Sequence, residues 1–427
     1  MRNCHRKAGG LNPGICDATT CIVQSKSEPV SKALLTRIES ILVESAPEVS
    51  GVRRNLHRNP ELSGKEIETT RLLRKYLNKA GIPHRVARDG KGIITATFAG
   101  ADKGPIVALR ADIDALPIQE ESDTDYRSAN PGVMHACGHD AHAAMLLGAT
   151  IALHKTGPLP VGWRSLFQPS EETGHGALEL IEQGAVDGVA AIVALHVDPN
   201  REVGCLGITP GPRTAFCQDF TIEVVGHGGH GARPHAAIDP IAAAAQLITL
   251  VYQAIPRRID SRDPAVVTVG MIQGGQTHNV IPDLVKLKGT IRALKETVSE
   301  QARAALERLC RGTEQTFGTS ISIEFSSLLR GMTNDPKVTA ICLRAAREMV
   351  GKDRVATDDP PSLGGEDFAD YLAHVPGCMV SLGVKRPGTE TTPLHTSRFD
   401  IDERALLIGA RLLARILLRW PNDFGDN

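Results

Sequence analysis

The chain has 427 residues, of which 41% are hydrophobic and 23% charged, and this composition is typical of a globular protein with two or three domains. Its 48 Lys and Arg residues balance 49 Asp and Glu residues, and only 4% of residues are aromatic, which argues against nucleic acid as a partner. Nine scattered cysteines favour a reducing, cytoplasmic location over a disulfide framework, and no apolar run approaches the ~20 residues of a membrane span.

The N-terminal part begins without periodicity. Residues 1–28 are therefore predicted to be a loose tail. A first helix is expected to start at Ser31. A second is expected after Ser63, which forms a capping-box pattern with Glu66, and it should end at Gly81.

Farther along, short apolar runs alternate with helical stretches, which is typical of an α/β domain with helices packed on a mixed sheet. The expected strands are residues 93–98, 106–109, 165–167, 191–195 and 378–382. The expected helices are residues 141–154, 178–183 and a long amphipathic helix that begins at Asp400 and runs through Trp420.

The segment 213–326 has a different order of predicted strands and helices. Its expected elements, residues 220–225, 240–254, 265–271, 285–291, 299–310 and 320–325, follow the βαββαβ order of a ferredoxin-like unit. The sequence therefore predicts a larger domain of residues 29–212 and 327–427, interrupted by a smaller domain of residues 213–326.

The densest chemical signal is the segment 135–142, which holds three histidines, Cys137 and Asp140 just before a predicted helix. Thiolate and imidazole are ligands for zinc and other late transition ions, so Cys137 and His139 are candidate metal ligands. The alternative is a polar loop whose side chains only cap the helix.

Polar side chains also follow other apolar runs. Adjacent carboxylates, Glu171 and Glu172, come after the predicted strand 165–167, and one can ligate a metal while the other acts as a general base. His196 follows a strand at the usual binding edge of an open sheet, and His395 precedes the C-terminal helix. Alone, the carboxylates can be a solvated pair and His196 a buried core histidine.

Together these positions offer a set of donors for two divalent ions, with Cys137 as a bridge. The candidate ligands are Cys137, His139, Glu172, His196 and His395. Mn, Zn, Co and Ni all suit such donors, and two ions ~3.5–4 Å apart can activate water and polarise a carbonyl.

The inserted segment and a later turn supply further candidates. A glycine-rich loop carries His230, which can reach an oxyanion, although the loop can equally be a flexible hairpin turn. Asn279 and Arg292 can bind a substrate carboxylate. The turn at Gly365 can hold a carboxylate on its amides, or it begins a helix with acidic residues in its first turn.

Over residues 50–415 the sequence resembles the two-metal aminoacylase/carboxypeptidase family, and most of all its branch of hippurate hydrolases and indole-acetyl-amino acid hydrolases. Ordered motifs carry this resemblance: Pro60-Glu61-Leu62-Ser63, Leu109-Arg-Ala-Asp112-Ile-Asp114, Met134-His-Ala-Cys-Gly-His-Asp-Ala-His142, Phe167-Gln-Pro-Ser-Glu-Glu172, Leu195-His196, Gly228-Gly-His-Gly-Ala232, Thr277-His-Asn-Val-Ile-Pro282, Gly364-Gly-Glu-Asp-Phe368 and Pro393-Leu-His395.

The resemblance implies the same five metal ligands, two divalent ions per chain (Mn or Zn above all), and a lid domain that mediates a homodimer. It implies Glu171 as the general base and His230 as a stabiliser of the oxyanion, in many relatives across a dimer. Asn279 and Arg292 become substrate contacts, and Asp112 and Asp114 become positions that orient ligand imidazoles.

Four positions depart from the family pattern: His227, Thr173, His175 and Asp198. None of them removes a ligand or the base, so they bear on substrate preference. Asp198, where an aromatic residue is common, is expected to disfavour an anionic or apolar group or to attract a cationic one.

The sequence therefore predicts a metal-dependent amidohydrolase that acts on small N-acyl amino acids or related dipeptides. One alternative is a thiol hydrolase built on Cys137 and His139, although two residues on one loop make poor relay geometry. Another is a non-catalytic homologue that binds metal or ligand. Glu171 argues against that alternative, because a binder needs no base beside the metal.

Overall fold

A computed structural model describes residues 32–100, 104–420 and 424. The predicted tail of residues 1–28 and the predicted helix start at Ser31 lie outside the described residues. The strands of the larger sheet are β1 (His84–Val86), β2 (Ile93–Thr95), β3 (Ile106–Asp112), β4 (Gly162–Gln168), β5 (Val189–Glu202), β6 (Leu206–Gly207), β15 (Val355–Ala356) and β16 (Gly377–Lys385).

This sheet is mixed and has the order β1-β2-β4-β3-β5-β16-β6-β15. The four central strands β4, β3, β5 and β16 run parallel, while β1–β2, β2–β4 and β16–β6 are antiparallel pairs. Central parallel strands are buried on both faces, which explains their continuous apolar runs. The predicted α/β class with a mixed sheet is confirmed.

Helices cover both faces of the sheet. They are α1 (Lys32–Arg58), α2 (Ile67–Lys79), α3 (His139–Thr156), α4 (Gly176–Ile181), α7 (Pro336–Val350), α8 (Phe368–Leu372) and α9 (Arg404–Leu418). Alternate residues of β3 point to opposite faces, so Leu109 packs in the core with α1, α3, α7 and α9, whereas Ala108 packs in the core with α4 and α8. None of the helices formed by the described residues combines the length and the hydropathy that a membrane span requires.

The inserted unit has its own four-stranded antiparallel sheet. Its elements are β8 (Phe216–Val225), α5 (Pro240–Ala254), β10 (Ala265–Gly274), β12 (Leu284–Ala293), α6 (Glu296–Phe317) and β13 (Ser320–Phe325). The strand order β10-β12-β8-β13 and the two helices over one face give the predicted ferredoxin-like arrangement around a separate apolar core. The domain boundaries at 213 and 326 stay a prediction.

Short pairings complete the topology. Strands β7 (Gly211–Pro212) and β14 (Thr333–Asn334) pair where the chain enters and leaves the inserted unit. Strands β9 (Gly229–His230) and β11 (Val280–Ile281) pair within it.

Two predicted helix starts are wrong. The Ser63 hydroxyl does not cap α2 but donates to Asp114 at 2.7 Å, and Glu66 stands at the helix start without a side-chain cap bond. The C-terminal helix begins at Arg404, because the Asp400 carboxylate instead accepts from the Arg53 guanidinium at 2.9 Å. In both cases a tertiary partner outcompetes the local helix N–H group.

Candidate metal centre

Loops and strand ends from distant parts of the chain converge beside α3. The loop into α3, the turn after β4, strand β5 and the segment before α9 contribute the predicted residues Cys137, His139, Glu171, Glu172, His196 and His395. The backbone N–H of His395 donates to the Ala136 carbonyl at 2.9 Å, which brings this late segment to the loop before α3. The structure thus brings together all five predicted ligands and the predicted base.

His196 lies at a different place in its strand from the one expected. Strand β5 continues to Glu202, so His196 is inside the strand and not at its exit. Its pairing with β3, however, ends at Ala194. His196 therefore lies two residues past the last pair with β3, near the carboxyl end of that neighbouring strand, where an open α/β sheet binds ligands.

Cys137 occupies the middle of the cluster. Its Sγ lies 3.6 Å from His196 Nε2 and 3.3 Å from His395 Nε2. The ligand atoms of Cys137, His139 and His196 lie within 4.8 Å of one another, and so do those of Cys137, Glu172 and His395. One thiol therefore belongs to two ligand groups, which is the arrangement that a bridging ligand requires.

Gly138 permits the close packing of this loop. It has a φ of +85°, and a Cβ on it would come within 2.5 Å of Val197 Cγ2. A side chain here would meet both a backbone penalty and a clash with β5. Glycine between Cys137 and His139 is thus needed to seat both candidate ligands against the strand.

Hydrogen bonds fix the orientation of two candidate imidazoles. His139 Nδ1 lies 3.1 Å from Asp114 Oδ1, and His196 Nδ1 lies 2.8 Å from the Val197 carbonyl. A proton on each Nδ1 leaves both Nε2 lone pairs free toward the cluster. Asp114 also accepts from the Glu172 N–H at 3.0 Å, so it joins two candidate ligand loops.

The third histidine of the 135–142 segment has no free nitrogen. His142 Nδ1 lies 2.6 Å from Asp112 Oδ1, and His142 Nε2 accepts from the Val197 N–H at 2.9 Å. Burial lowers the pKa of His142 to about 4, which agrees with a neutral ring that uses one nitrogen in each role. Asp112 therefore orients His142, which supports β5.

Two buried ligand atoms in the cluster have no hydrogen-bond partner in the described part of the chain: His139 Nε2 and Glu172 Oε1. A buried polar atom without a partner costs free energy, on the order of 1–3 kcal/mol. Coordination to a cation removes that cost. With thiolate, imidazole and carboxylate donors around them, the residues present fit divalent metal ions.

Glu171 faces a different set of neighbours from Glu172. Its Oε2 lies 3.9 Å from His139 Nε2, and its carboxylate is grouped with those of Glu366 and Asp367. Burial first, and then the charges of Glu366 and Asp367, raise the pKa of Glu171 well above its usual range. A carboxyl group with a raised pKa is suited to accept a proton and later to return it.

The sequence interpretation missed a buried cation beneath Glu171. Arg110 in β3 lies 2.6 Å from Asp112, 2.9 Å from Asp367 and 3.1 Å from Glu366. The motif Leu109-Arg-Ala-Asp112 could have predicted this cation, because an arginine inside a buried strand is stable only when buried carboxylates pair with it. The turn at Gly365 thus points its acidic side chains inward, to Arg110.

The predicted residues of the inserted unit lie apart from the cluster. His230 and Asn279 are exposed neighbours on the β9–β11 pairing, and no hydrogen bond or ion pair of the described residues joins either side chain to the candidate ligands. Arg292 lies nearer, because its Nη1 donates to the Leu363 carbonyl at 3.0 Å. Gly365 is exposed in that same turn, and a Cβ on it would come within 2.5 Å of Leu329 Cδ2.

Asp198 is paired within the protein with a cation that it shares. Its carboxylate lies 3.0 Å from Arg201 Nε, and Arg201 also pairs with Asp359. The expected repulsion of anionic groups, or attraction of cationic ones, by a free Asp198 charge is weakened by this pairing.

Comparisons with known proteins agree with this geometry. The model of peptidase family M20/M25/M40 matches residues 108–419. The N-acetyl-L-cysteine deacetylase of Bacillus subtilis (strain 168) is 38% identical over 387 residues, which are 90% of this chain and 88% of the relative. The IAA-amino acid hydrolase ILR1-like 4 of Arabidopsis thaliana is 34% identical over 87% of this chain and 85% of its own.

A solved structure shares the whole architecture. The YXEP protein of Bacillus subtilis, described as a dinuclear metal binding peptidase from the M20 family, superposes with a TM-score of 0.76 at 32% identity. The match covers 88% of this chain and 98% of the other.

Proposed function

The chain belongs to peptidase family M20/M25/M40, and from that premise we propose that it is a two-metal amidohydrolase that releases free amino acids from N-acyl amino acids. Relatives of this chain are named as deacetylases, amidohydrolases and carboxypeptidases, and the protein is a hydrolase that acts on amides. Two relatives whose names specify N-acylated amino acids, an N-acetyl-L-cysteine deacetylase and an IAA-amino acid hydrolase, support the substrate class.

One observation carries the proposal: buried His139 Nε2 and Glu172 Oε1 have no hydrogen-bond partner among the described residues, and each lies in a group of donors that includes the Cys137 thiol. The ions would be held by Cys137, His139, Glu172, His196 and His395. Mn or Zn is proposed, since the set mixes a thiolate and imidazoles with a carboxylate; Co and Ni suit it as well. When bound, two such ions lower the pKa of water and polarise a carbonyl.

Glu171 is the proposed general base. Its carboxylate lies beside His139 and Glu172 and is also grouped with the carboxylates of Glu366 and Asp367. It would take the proton of the attacking water and later return it to the departing amine. Its raised pKa supports this role, because a more basic carboxylate takes up the proton of water more readily and holds it until the amine departs.

The inserted unit is proposed to supply substrate contacts. Arg292 and Gly365 lie near the turn that carries Glu366 and are proposed to meet the substrate carboxylate. Asn279 and His230 lie together on the exposed β9–β11 pairing, from which His230 would stabilise the oxyanion.

A homodimer through the inserted unit would let one copy present His230 to the site of another. Strand β10 lies at the edge of the four-stranded sheet, and its Val266 and Ile272 are exposed by 39% and 57%. An open sheet edge with exposed apolar side chains is a ready surface for pairing.

A substrate panel tests the proposal. N-acetyl, N-benzoyl and indole-acetyl amino acids and dipeptides would be assayed for release of free amino acid, before and after chelation and after return of Mn²⁺ or Zn²⁺. Release that is lost on chelation and restored by metal supports the amidohydrolase. Activity that survives chelation but is lost on alkylation would instead support the thiol hydrolase, and metal binding with no turnover would support the non-catalytic homologue.

A further inference from the structure

The residue just before the two glutamates has an unfavourable backbone conformation. Ser170 has a φ of +59°, and it is one of three non-glycine residues with positive φ in the described part of the chain. Left-handed backbone is unfavourable for a residue with a Cβ, so neighbouring contacts must hold it.

A buried glutamate supplies such a contact from far away in the sequence. Glu66 is fully buried, and its Oε1 accepts from the Ser170 N–H at 2.8 Å and from the Gly64 N–H at 2.9 Å. On the other side of the residue, the Ser170 carbonyl accepts from the Thr173 hydroxyl at 3.2 Å. Both backbone polar groups of Ser170 are therefore fixed.

Glu66 does not serve its own helix. It stands at the start of α2 but makes no side-chain cap bond there. The amides in the first turn of α2 are instead bound by Glu61, whose carboxylate accepts from the N–H groups of Glu68 at 3.2 Å and Thr69 at 2.7 Å. The fully buried carboxylate of Glu66 is thus left for the loop that follows β4.

The left-handed turn at Ser170 precedes the divergence of the two glutamates. Directly after it, both carboxylates approach His139, but Glu171 also joins Glu366 and Asp367, whereas Glu172 also joins Cys137 and His395. Neighbouring side chains must leave the chain in different directions to do this. The backbone geometry at Ser170 is therefore tied to the placement of a proposed base and a proposed ligand.

We infer that Glu66 is a positioning residue: its carboxylate holds the Ser170 N–H and thereby fixes the left-handed turn that aims Glu171 and Glu172 into the site. This inference rests on the proposed function for its catalytic readout. The same geometry also predicts metal affinity, which can be measured without turnover.

The central test compares Glu66→Ala with Glu66→Gln. Alanine removes the acceptor, so kcat on an N-acetyl amino acid and Mn²⁺ affinity by calorimetry should each fall about 10- to 100-fold, with KM within about 3-fold. Glutamine keeps a carbonyl oxygen, so Glu66→Gln should stay within about 3-fold of the parent chain.

A second substitution tests the mechanism itself. Glycine adopts positive φ without a Cβ penalty, so Ser170→Gly should restore most of the kcat and Mn²⁺ affinity that Glu66→Ala loses. Ser170→Val, whose branched side chain resists positive φ, should reproduce the loss even if Glu66→Ala fails to fold.

The matched control is Glu61→Ala, which should lower Tm while kcat and Mn²⁺ affinity stay unchanged.

The outcomes separate the two proposals. Absence of turnover in the parent chain would contradict the proposed function, while the Mn²⁺ affinities would still test the role of Glu66. Parent-like Mn²⁺ affinity in Glu66→Ala, no recovery with Ser170→Gly, or an equal loss in Glu61→Ala would overturn the inference.

Discussion

The larger domain and the inserted unit (residues 216–325) place their charges differently. In the larger domain many charged or histidine side chains are buried, among them Arg53, His57, Glu66, Arg110, Asp112, Asp114, Glu120, His139, Asp140, His142, Glu366 and Asp367. The inserted unit is fully described, and its buried polar side chains are the uncharged Gln218, Ser299, Thr313 and Thr319.

The two regions therefore differ in whether their cores contain charged side chains. The inserted unit, all of whose residues are described, buries no charged side chain, and its His230 is exposed. The larger domain buries charges that stabilise the fold only when each finds its partner. Changes of charge should therefore have large effects in the larger domain and small ones in the inserted unit.

The largest effect is expected at Glu171. Glu171→Gln removes the proposed proton acceptor, so kcat should fall by about 10³-fold while two equivalents of metal stay bound. Steady-state kinetics and metal analysis check this outcome. Glu324→Gln, an exposed change on β13, is the matched control and should leave kcat unchanged. Turnover retained in Glu171→Gln would refute the assignment of the base.

Arg110→Met should have the largest effect on stability. It leaves Asp112, Glu366 and Asp367 buried without their counter-charge, at a cost of about 3–5 kcal/mol in the free energy of unfolding. Arg303→Met on α6 breaks a surface pair with Glu307 and should cost below about 1 kcal/mol. Urea denaturation measures both, and equal losses would erase the contrast between the two regions.

A pH effect on stability is expected from a second buried cluster in the larger domain. His57 lies between Asp140 at 2.8 Å and Glu120 at 3.2 Å, while Arg53 binds Asp140 at 2.8 Å. Burial lowers the pKa of His57, but Asp140 and the hydrogen bonds to Asp140 and Glu120 outweigh it and raise the pKa to about 9.

The folded state therefore holds the His57 proton more tightly than the unfolded chain does. Its contribution, about 3 kcal/mol, is complete below about pH 6.5 and is lost as the pH rises through 9. Denaturation curves between these pH values should show the fall, and His57→Gln should flatten it. His235→Gln, an exposed change in the inserted unit, should retain the same slope; a flattened slope there would contradict the assignment.

The smallest of these effects is expected at His230. Because its side chain is exposed, His230→Ala should lower kcat by about 10²-fold without changing Tm or Mn²⁺ affinity. His235→Ala on the same surface is the control. A parallel loss of metal affinity would show that His230 acts on the metal centre and not on the oxyanion.

Much of the fold followed from local patterns. The bounds of α5 and β13 match those predicted, because one apolar face on each element gives an unambiguous period. The sequence also named the residues that the structure collects around Cys137, because thiolate, imidazole and carboxylate are metal ligands and several of them follow predicted strands. Their assignment as ligands stays a prediction.

Tertiary structure decided which polar groups meet. Arg110 pairs with Glu366, 256 residues away, and Ser63 binds Asp114 rather than the start of α2. The two ring nitrogens of His142 are taken by Asp112 and the Val197 N–H, which removes that histidine from the donors. The sequence by itself determined which chemical groups are present and which elements carry them. Only the folded chain determined their partners, because a buried charge pairs with whichever group lies beside it in space.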